Sequence, residues 1–234
     1  RIVYVRAAKG FRAPQTTELY RLQSGQSKAF IDSEKIKSIE LGWRVKNLGF
    51  LTFDTALYRM NKENVIFQDT ERYNVSGAET SHYGLELSAE ATSKSGLYIN
   101  GAFTLARHRY ESSIRMLGVK GSIDGNEIDT APKYFGSLRI GWRNAQRQGL
   151  TNLEGELITL GKYYLDPNNK HQYQGHTLLN ILGQWDLASD WSIHFRIKNV
   201  LDKHYAERAD FGFGQYRYFV GRERLVNFEL RHDL

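Results

Sequence analysis

The sequence predicts an all-β protein in which about ten antiparallel strands cross a membrane as part of a barrel. Three observations support this prediction. Apolar and polar side chains alternate along many segments, long and short connections alternate between those segments, and aromatic residues make up 13% of the chain. The 14 Tyr and 12 Phe, with only 3 Pro, are typical of β-strands and unfavourable for a helical bundle.

The composition argues against several other classes of protein. No apolar run approaches the ~18 residues that a transmembrane helix needs. The mean hydropathy of -0.54 still allows a barrel, because only alternate residues of each strand face lipid. The chain has no Cys, which excludes disulfides and thiolate metal sites. Its net charge of +6 is spread along the chain and not clustered on one element, so no nucleic-acid partner is expected.

The alternation of side chains is clearest near the end of the chain. In the segment 191–198 every odd-numbered residue is apolar and every even-numbered one is polar or charged, and Val226, Phe228 and Leu230 likewise alternate with Asn227 and Glu229. We expect the apolar set to face lipid and the polar set to face a water-filled lumen. Runs of this kind predict strands at 2–10, 36–46, 50–61, 81–92, 97–109, 134–144, 150–163, 176–188, 191–199 and 222–232.

The connections between these strands alternate in length without exception. Long connections span roughly 11–35, 62–80, 110–133, 164–175 and 200–221, and short turns lie at 47–49, 93–96, 145–149 and 189–190. An outer-membrane barrel has this arrangement because one rim carries tight periplasmic turns and the other carries extracellular loops. A soluble sandwich or jelly roll, which also has many alternating strands, is the structural alternative.

Five strings occur in order along the chain. They are GFRAP at 10–14 with ELY at 18–20, EK at 34–35 with SIELG at 38–42, YGLEL at 83–87, KNVLDKHY at 198–205 and GR at 221–222. Together they resemble the landmarks of TonB-dependent outer-membrane receptors. Two places depart from the family pattern: residues 30–33 match its element poorly, and the chain ends on Leu234 where the family usually has an aromatic residue.

The resemblance implies that residues 1–234 are the C-terminal portion of a 22-stranded barrel in the bacterial outer membrane, with the plug domain and signal peptide absent. Residues 2–10 and 222–232 should then not pair. The implied function is binding and import of a scarce nutrient, a ferric siderophore first of all, driven by the TonB complex through the missing plug. Outer-membrane lipid and lipopolysaccharide are the expected surroundings. The resemblance implies no catalytic residue and no cofactor, since iron is carried only within the transported chelate.

Ferric siderophores are often anionic and aromatic, so we expect Arg and aromatic side chains to bind them. Two clusters fit, one at the mouth of a strand and one in the last loop: Arg107, Arg109, Tyr110 and Arg115, and Phe211, Phe213, Tyr216, Arg217 and Tyr218. The alternative is a rim girdle whose Arg residues pair with lipopolysaccharide phosphates. Other charged residues should face the lumen and form interior ion pairs: Arg44, Glu86, Glu90, Arg139, Arg196, Glu229 and Arg231.

Several other functions stay open at this point. A complete ten-stranded barrel protease of the omptin type would use Asp and His at the outer rim, for which Asp129, Asp166, His171 and Asp210 are the candidates, although no matching motif is present. A passive or adhesive barrel is a further alternative. Within the same family, the ligand could be cobalamin, haem or a carbohydrate; haem is disfavoured because residues 15–35 contain no His.

Overall fold

The computed structural model describes residues 1–20, 31–68, 73–112, 119–144, 148–187 and 190–232. Within them lie fourteen strands and one short helix, α1 (Thr16–Tyr20). The strands are β1 (Ile2–Arg12), β2 (Glu34–Leu48), β3 (Leu51–Gln68), β4 (Asn74–Thr92), β5 (Leu97–Tyr110), β6 (Tyr134–Arg143), β7 (Gly149–Leu160), β8 (Tyr163–Tyr164), β9 (Gln172–Tyr173), β10 (His176–Asp186), β11 (Trp191–Lys198), β12 (Ala206–Gly212), β13 (Gln215–Val220) and β14 (Leu225–His232). The described part contains no helix that is long and apolar enough to cross a membrane.

Ten of these strands form one antiparallel sheet in the order β1-β2-β3-β4-β5-β6-β7-β10-β11-β14. Each strand therefore pairs with the next one in the chain, once the two small hairpins β8–β9 and β12–β13 are set aside. Strands β1 and β14 are the two edges of the sheet, so the chain does not close on itself. The prediction of an open segment of about ten antiparallel strands is confirmed.

The register of the strands sorts the side chains into an apolar face and a polar face. On β11 and β14 the cross-strand pairs are Ile193 with Leu230 and Phe195 with Phe228 on one face, as predicted. Four leucines continue this face across β2 to β5, and each of them is exposed: Leu41, Leu57, Leu85 and Leu105. Burying such a row in lipid is favourable, whereas exposing it to water along a whole sheet is not.

The aromatic residues mark the two borders of the apolar face. All four Trp lie on this face close to the short turns: Trp43, Trp142, Trp185 and Trp191. Toward the long connections, the ring of Tyr134 stacks on Phe103 with centroids 6.0 Å apart. Indole and phenol groups favour the boundary between hydrocarbon and water, so these positions delimit the membrane-facing belt.

One predicted connection is wrong in extent, because most of it is strand. Strand β3 continues to Gln68 and β4 begins at Asn74, although residues 62–80 were expected to form a loop. The register shifts between Lys62 and Val65, where Asn64 has a positive φ of 57°. The hairpin therefore extends past the membrane belt as an irregular ladder, and irregular ladders do not show a clean period of two in the sequence.

Candidate ligand-binding surface

The polar face of the sheet lines a cavity of about 1000 Å³. Its lining runs from Tyr4 on β1 to His176 on β10, and it also includes Tyr205, just before β12, and Glu207 on β12. Residues on strands so far apart in the sheet can share one cavity only if the sheet curves around it. The polar face is therefore the concave, lumenal wall, and the apolar face is the convex outer surface.

Ion pairs cover part of this lumenal wall, two of them between neighbouring strands and a third within β14. Arg44 pairs with Asp54, and Arg139 Nη2 lies 2.7 Å from Glu156 Oε1. Glu229 and Arg231 form a third pair at 3.1 Å. The expected interior ion pairs are thus present for Arg44, Arg139, Glu229 and Arg231, whereas Glu86, Glu90 and Arg196 make none within the described residues. Pairs as exposed as these contribute about 0–1 kcal/mol each to the free energy of folding. Their main effect is therefore to keep the lumenal wall polar and hydrated.

Arg12 joins the first two of the five strings noted in the sequence. Its guanidinium binds Glu18 through both terminal nitrogens, at 3.0 and 3.1 Å, and its Nε donates to Glu34 at 2.8 Å. Glu34 also accepts the backbone N–H of Ile66, and the carbonyl of Glu18 accepts the side-chain amide of Asn74. The Arg12 guanidinium holds the pKa of Glu18 below its usual range. This Arg12 clasp fixes the start of the first long connection to the projecting β3–β4 hairpin.

Asn199 fixes the start of the last loop. It is 3% exposed and has a positive φ of 50°, a conformation that Asn tolerates better than most residues. Its backbone N–H donates to Asn180 at 2.9 Å, and its side-chain oxygen accepts the N–H of Lys203 at 2.9 Å. Its side-chain amide donates to the carbonyls of Lys203 at 3.0 Å and Arg222 at 3.2 Å. Asn199 thus joins β10, through its backbone, to both ends of the loop, through its side chain.

Two further contacts close the same loop. Asp202 accepts the backbone N–H of Arg224 at 2.7 Å. The ring of Tyr205 lies over Gly221, where an added Cβ would come within 2.2 Å of it, and the two residues share a backbone hydrogen bond of 2.9 Å. The KNVLDKHY and GR strings are therefore parts of one clamp that holds β12 and β13 over the lumen.

The β12–β13 hairpin has a small hydrophobic core of its own. Tyr163, Leu165, Ala206 and Ala209 are buried together beneath it. The hydroxyl of Tyr163 accepts the N–H of Ala209 at 3.0 Å. The predicted loop 200–221 consequently contains an ordered hairpin that packs on β8, whereas no strand was predicted there.

The structure brings all five predicted last-loop residues onto this hairpin. Phe211 stacks on His171 with ring centroids 3.5 Å apart and meets the edge of Tyr216 at 5.3 Å. Tyr218 lies parallel to Tyr216 at 6.1 Å and is half exposed. At the tip, Phe213 is 93% exposed. The tip and the exposed ring edges form a surface that a planar ligand can reach.

Arginine side chains flank this aromatic surface. Arg217 pairs with Asp210, and its guanidinium lies 5.8 Å from the centre of the Phe213 ring. Arg208 also reaches Asp210, at 3.4 Å, and lies 5.3 Å from the ring of Phe219. Two cations share one carboxylate, so these three side chains sum to one positive charge, which Glu207 balances elsewhere on the hairpin. Arg208, Arg217 and Phe219 lie on one face of the hairpin and Tyr216 and Tyr218 on the other, with Phe213 at the tip. We refer to these six residues together as the hairpin surface.

The predicted cluster at the strand mouth is not brought together in the same way. Arg107 and Arg109 continue the row of Leu105, because they alternate with it along β5, and so they lie on the outer side of the sheet. Arg107 Nε is 3.7 Å from Glu127. The Nε of Arg109 is buried without a hydrogen-bond partner among the described residues. These two positions suit contacts outside the barrel better than contacts with a ligand in the lumen.

Tyr110 has the opposite orientation and a structural role. It is 8% exposed, and its hydroxyl donates to Asp129 at 2.8 Å, which joins the end of β5 to the following connection. Arg115 lies outside the described residues. Whether any residue of the mouth cluster contacts a ligand stays a prediction.

The candidate residues for a rim protease are each held by structural contacts. Asp129 accepts the Tyr110 hydroxyl, Asp210 pairs with two arginines, and Asp166 accepts both the backbone and the ring N–H of His171 at 2.8 and 3.0 Å. The same His171 is stacked on Phe211, which orients the ring inside the hairpin contact. These contacts give each of the four residues a structural role, and none of the contacts requires a catalytic one.

Sequence reasoning missed a pair of histidines on the lumenal wall. His82 on β4 and His108 on β5 are direct cross-strand partners, with their Nδ1 atoms 2.8 Å apart. The other ring nitrogen of His82, Nε2, lies 2.9 Å from the hydroxyl of Thr80. Counting residues outward from the short turn between β4 and β5 would have placed the two histidines opposite each other.

Comparisons with known proteins agree with this architecture. The family model described as "TonB dependent receptor-like, beta-barrel" matches residues 2–200. The metal-pseudopaline receptor of Pseudomonas aeruginosa is 23% identical over 217 residues, which are 88% of this chain and 28% of that receptor.

Solved structures show the same fold. The ferric yersiniabactin uptake receptor of Yersinia pestis superimposes with a TM-score of 0.79 at 18% identity, over 99% of this chain and 35% of the other. A siderophore receptor of Acinetobacter baumannii gives 0.77 at 16% identity, over 98% and 33%. The chain spans 28–35% of the length of these three relatives.

Proposed function

We propose that this chain, which belongs to the TonB-dependent receptor β-barrel family, forms the C-terminal part of a receptor that imports a metal chelate, with a ferric siderophore as the first candidate. The family is one of outer-membrane proteins, so the apolar face of the sheet meets the bacterial outer membrane. In the proposed mechanism the chelate binds from outside, and TonB acts on a plug domain carried by the rest of the receptor.

The hairpin surface is the observation that carries this proposal. Siderophore complexes are planar in part and often anionic, so rings can stack on them while guanidinium groups offset their charge. Phe213 is almost fully exposed at the hairpin tip, and Arg217 lies beside it. A girdle residue would instead lie on the outer face of the sheet, level with the headgroups. The hairpin contributes no strand to that sheet.

The names of the relatives support a metal chelate as the cargo. The curated relative is named for metal-pseudopaline, and the solved structures are named for ferric yersiniabactin and for a siderophore. The family is one of transport receptors and not of enzymes, which decides against the omptin-type protease. Cobalamin, haem and carbohydrate receptors remain as rival proposals for the cargo.

An uptake assay with the full-length receptor tests the proposal. Cells that depend on this receptor under iron limitation are offered iron chelates of different classes, and binding is measured on the purified protein. We expect Phe213→Ser and Arg217→Ala each to weaken binding of the transported chelate about tenfold, since each removes a stacking or charge-assisted contact of ~1–2 kcal/mol.

Arg208→Ala is the matched control for the charge at Asp210, because both arginines pair with that carboxylate. It should leave the hairpin folded and change binding less than Arg217→Ala, since Arg208 lies beside Phe219 and not at the tip. If no iron chelate is taken up and cobalamin or a sugar supports growth instead, the siderophore proposal is wrong.

A further inference from the structure

The histidine pair His82–His108 is a candidate metal-binding site. Neither histidine belongs to the hairpin surface on which the proposed function is argued. The histidines lie on the lumenal wall, since His82 alternates along β4 with Glu86, a residue of the cavity lining. Four residues of strand separate His82 from Glu86, which corresponds to about 13 Å in the direction of the long connections. The pair therefore lies on the lumenal side between the cavity and the long connections, and a chelate reaches His82, which is only 9% exposed, if the chain over it moves aside.

The geometry of the two rings matches that of two ligands on one metal ion. Imidazole nitrogens bind divalent transition metals at about 2.0–2.1 Å, so two adjacent ligands lie about 2.9–3.4 Å from each other. The two Nδ1 atoms are 2.8 Å apart, and the ring planes are inclined by 56°. A separation of the rings by about half an ångström would admit an ion between them.

A hydroxyl on the same strand orients one of the rings. Thr80 is 5% exposed, and its Oγ1 lies 2.9 Å from His82 Nε2. With the proton of His82 on Nε2, donated to Thr80, the Nδ1 lone pair points at His108. Metal-binding histidines typically have such a partner on the second ring nitrogen, which fixes the tautomer. In the 2.8 Å contact His108 Nδ1 is then the donor and His82 Nδ1 the acceptor. Transfer of that proton to Nε2 of His108 frees both Nδ1 atoms to bind an ion without any loss of protons.

Two neighbours on β3 show what kind of metal species would fit. Met60 is the cross-strand partner of His82 on the same face, so a soft thioether lies next to the imidazoles. Lys62 is the partner of Thr80 on that face, and its ammonium group opposes a bare cation but favours an anionic complex. The described residues contain no group of three or more His, Cys, Asp or Glu side chains that could hold a metal ion by themselves.

From these contacts we propose that His82 and His108 bind the metal ion of an incoming anionic chelate whose chelator leaves two coordination positions open. The inference rests on the proposed function and narrows its substrate class. Imidazole binds iron, copper, nickel and zinc. The pair therefore distinguishes metal ions by their open coordination positions and not by which of these elements they are. A chelator that fills the whole coordination shell would pass the pair without bonding to it.

Electron paramagnetic resonance of the full-length receptor, prepared without a histidine tag, tests this site directly. The probe is Cu(II) bound to nitrilotriacetate, which leaves positions open, and the control probe is Cu(II) bound to EDTA, which does not. We expect nitrogen modulations from imidazole with the first probe alone. His82→Gln and His108→Gln should each weaken binding of that probe at least about 10-fold, the lower end of the cost of losing a second-shell partner.

His194→Gln is the matched control variant, because His194 also lies on the lumenal wall and is bonded to a serine, Ser192. It should leave the imidazole signal unchanged. A wild-type receptor without imidazole modulations, or a signal that persists in the His82→Gln/His108→Gln double variant, would overturn the proposal. The change in mobility between heated and unheated samples on gels shows in each case that the barrel is assembled.

The experiments distinguish failure of this metal-binding inference from failure of the proposed function. If the receptor supports uptake of a chelate with a full coordination shell and shows no imidazole signal, the metal-binding inference fails while the import proposal stands. If it supports uptake of no metal chelate but binds Cu(II)–nitrilotriacetate through His82, the site stands and the cargo proposal fails.

Discussion

Replacement of Asn199 by Ala should release the last loop while leaving the barrel assembled. The side chain of Asn199 makes three hydrogen bonds, two to Lys203 and one to Arg222, and its backbone is in a left-handed conformation. Ala supplies none of these bonds and tolerates a positive φ poorly. The loop that contains β12 and β13 would lose its attachment at both ends.

The free-energy cost of Asn199→Ala follows from the contacts of the Asn199 side chain. Three hydrogen bonds of about 1 kcal/mol each, in a residue only 3% exposed, give about 2–3 kcal/mol. The left-handed backbone adds about 1 kcal/mol for Ala and close to nothing for Gly. We therefore expect Asn199→Ala to favour loop opening by about 3–4 kcal/mol, which is a factor of about 100 to 1000. Asn199→Gly should cost about 1 kcal/mol less.

Limited trypsin digestion of the folded full-length receptor measures this opening. Cleavage at Lys203, Arg208 and Arg217 reports the population of the opened loop when opening is fast relative to cleavage. Asn227→Ala, on β14 at the lumenal wall, is the control and should digest like the unmodified receptor. If Asn199→Ala accelerates cleavage in the loop less than threefold, or if Ala and Gly behave alike, the reasoning about the clamp is wrong.

Three other predictions concern separate parts of the molecule. Leu138→Arg places a charge on the membrane-facing side at a cost of ~2–4 kcal/mol and should reduce the heat-modifiable, assembled fraction, whereas Ser137→Arg on the lumenal wall should not. Arg12→Ala should speed proteolysis of residues 13–20, because the Arg12 clasp is lost. In the unmodified receptor, the stability that Glu18 adds to this clasp is present above the unfolded pKa of Glu18, about 4.3, and is lost as the pH falls through its lowered folded pKa. Phe213→Ser should change the free energy of unfolding by less than about 0.5 kcal/mol in denaturant titrations, because its side chain is 93% exposed. A change above 1 kcal/mol would show that this ring packs more than it binds.

Strand positions and faces were predictable because both depend on local rules. A period of two follows from the geometry of the pleat, and lipid on one side against water on the other imposes it on the sequence. The segment 191–198 shows it without exception, and β11 occupies the same residues. The rule failed for 62–80, where the register shifts between Lys62 and Val65 and again between Val65 and Phe67.

The hairpin β12–β13 could not be predicted from the sequence in this way. Its strands have seven and six residues, and its inner side packs on a core formed by residues of β8 and the segment after it. No alternation marks such a surface, because the burial of Ala209 depends on Tyr163, a residue far away in the chain. The five site residues were chosen for their chemistry, and the hairpin that joins them became visible only in three dimensions.

The mouth cluster shows the opposite case, in which a local rule was available. Arg107 and Arg109 have the same parity along β5 as Leu105, whereas Tyr110 has the other parity. Alternation alone therefore separates the two arginines from the tyrosine. The lesson for residues near strand ends is that chemical type selects candidates, but strand phase decides which of them can share a site.

The architecture also explains how the fold persists at 16–18% identity to the solved receptors. Backbone hydrogen bonds between neighbouring strands hold the sheet, so side chains need only respect the apolar and polar faces. The hairpin β12–β13 pairs only with itself, and the histidine pair occupies lumenal positions that any polar residue could fill. Substitutions at either place therefore leave the backbone pairing of the ten strands unchanged. The proposed ligand contacts are therefore best tested by substitution of Phe213, Arg217, His82 and His108, where the pairing of the barrel strands is not at stake.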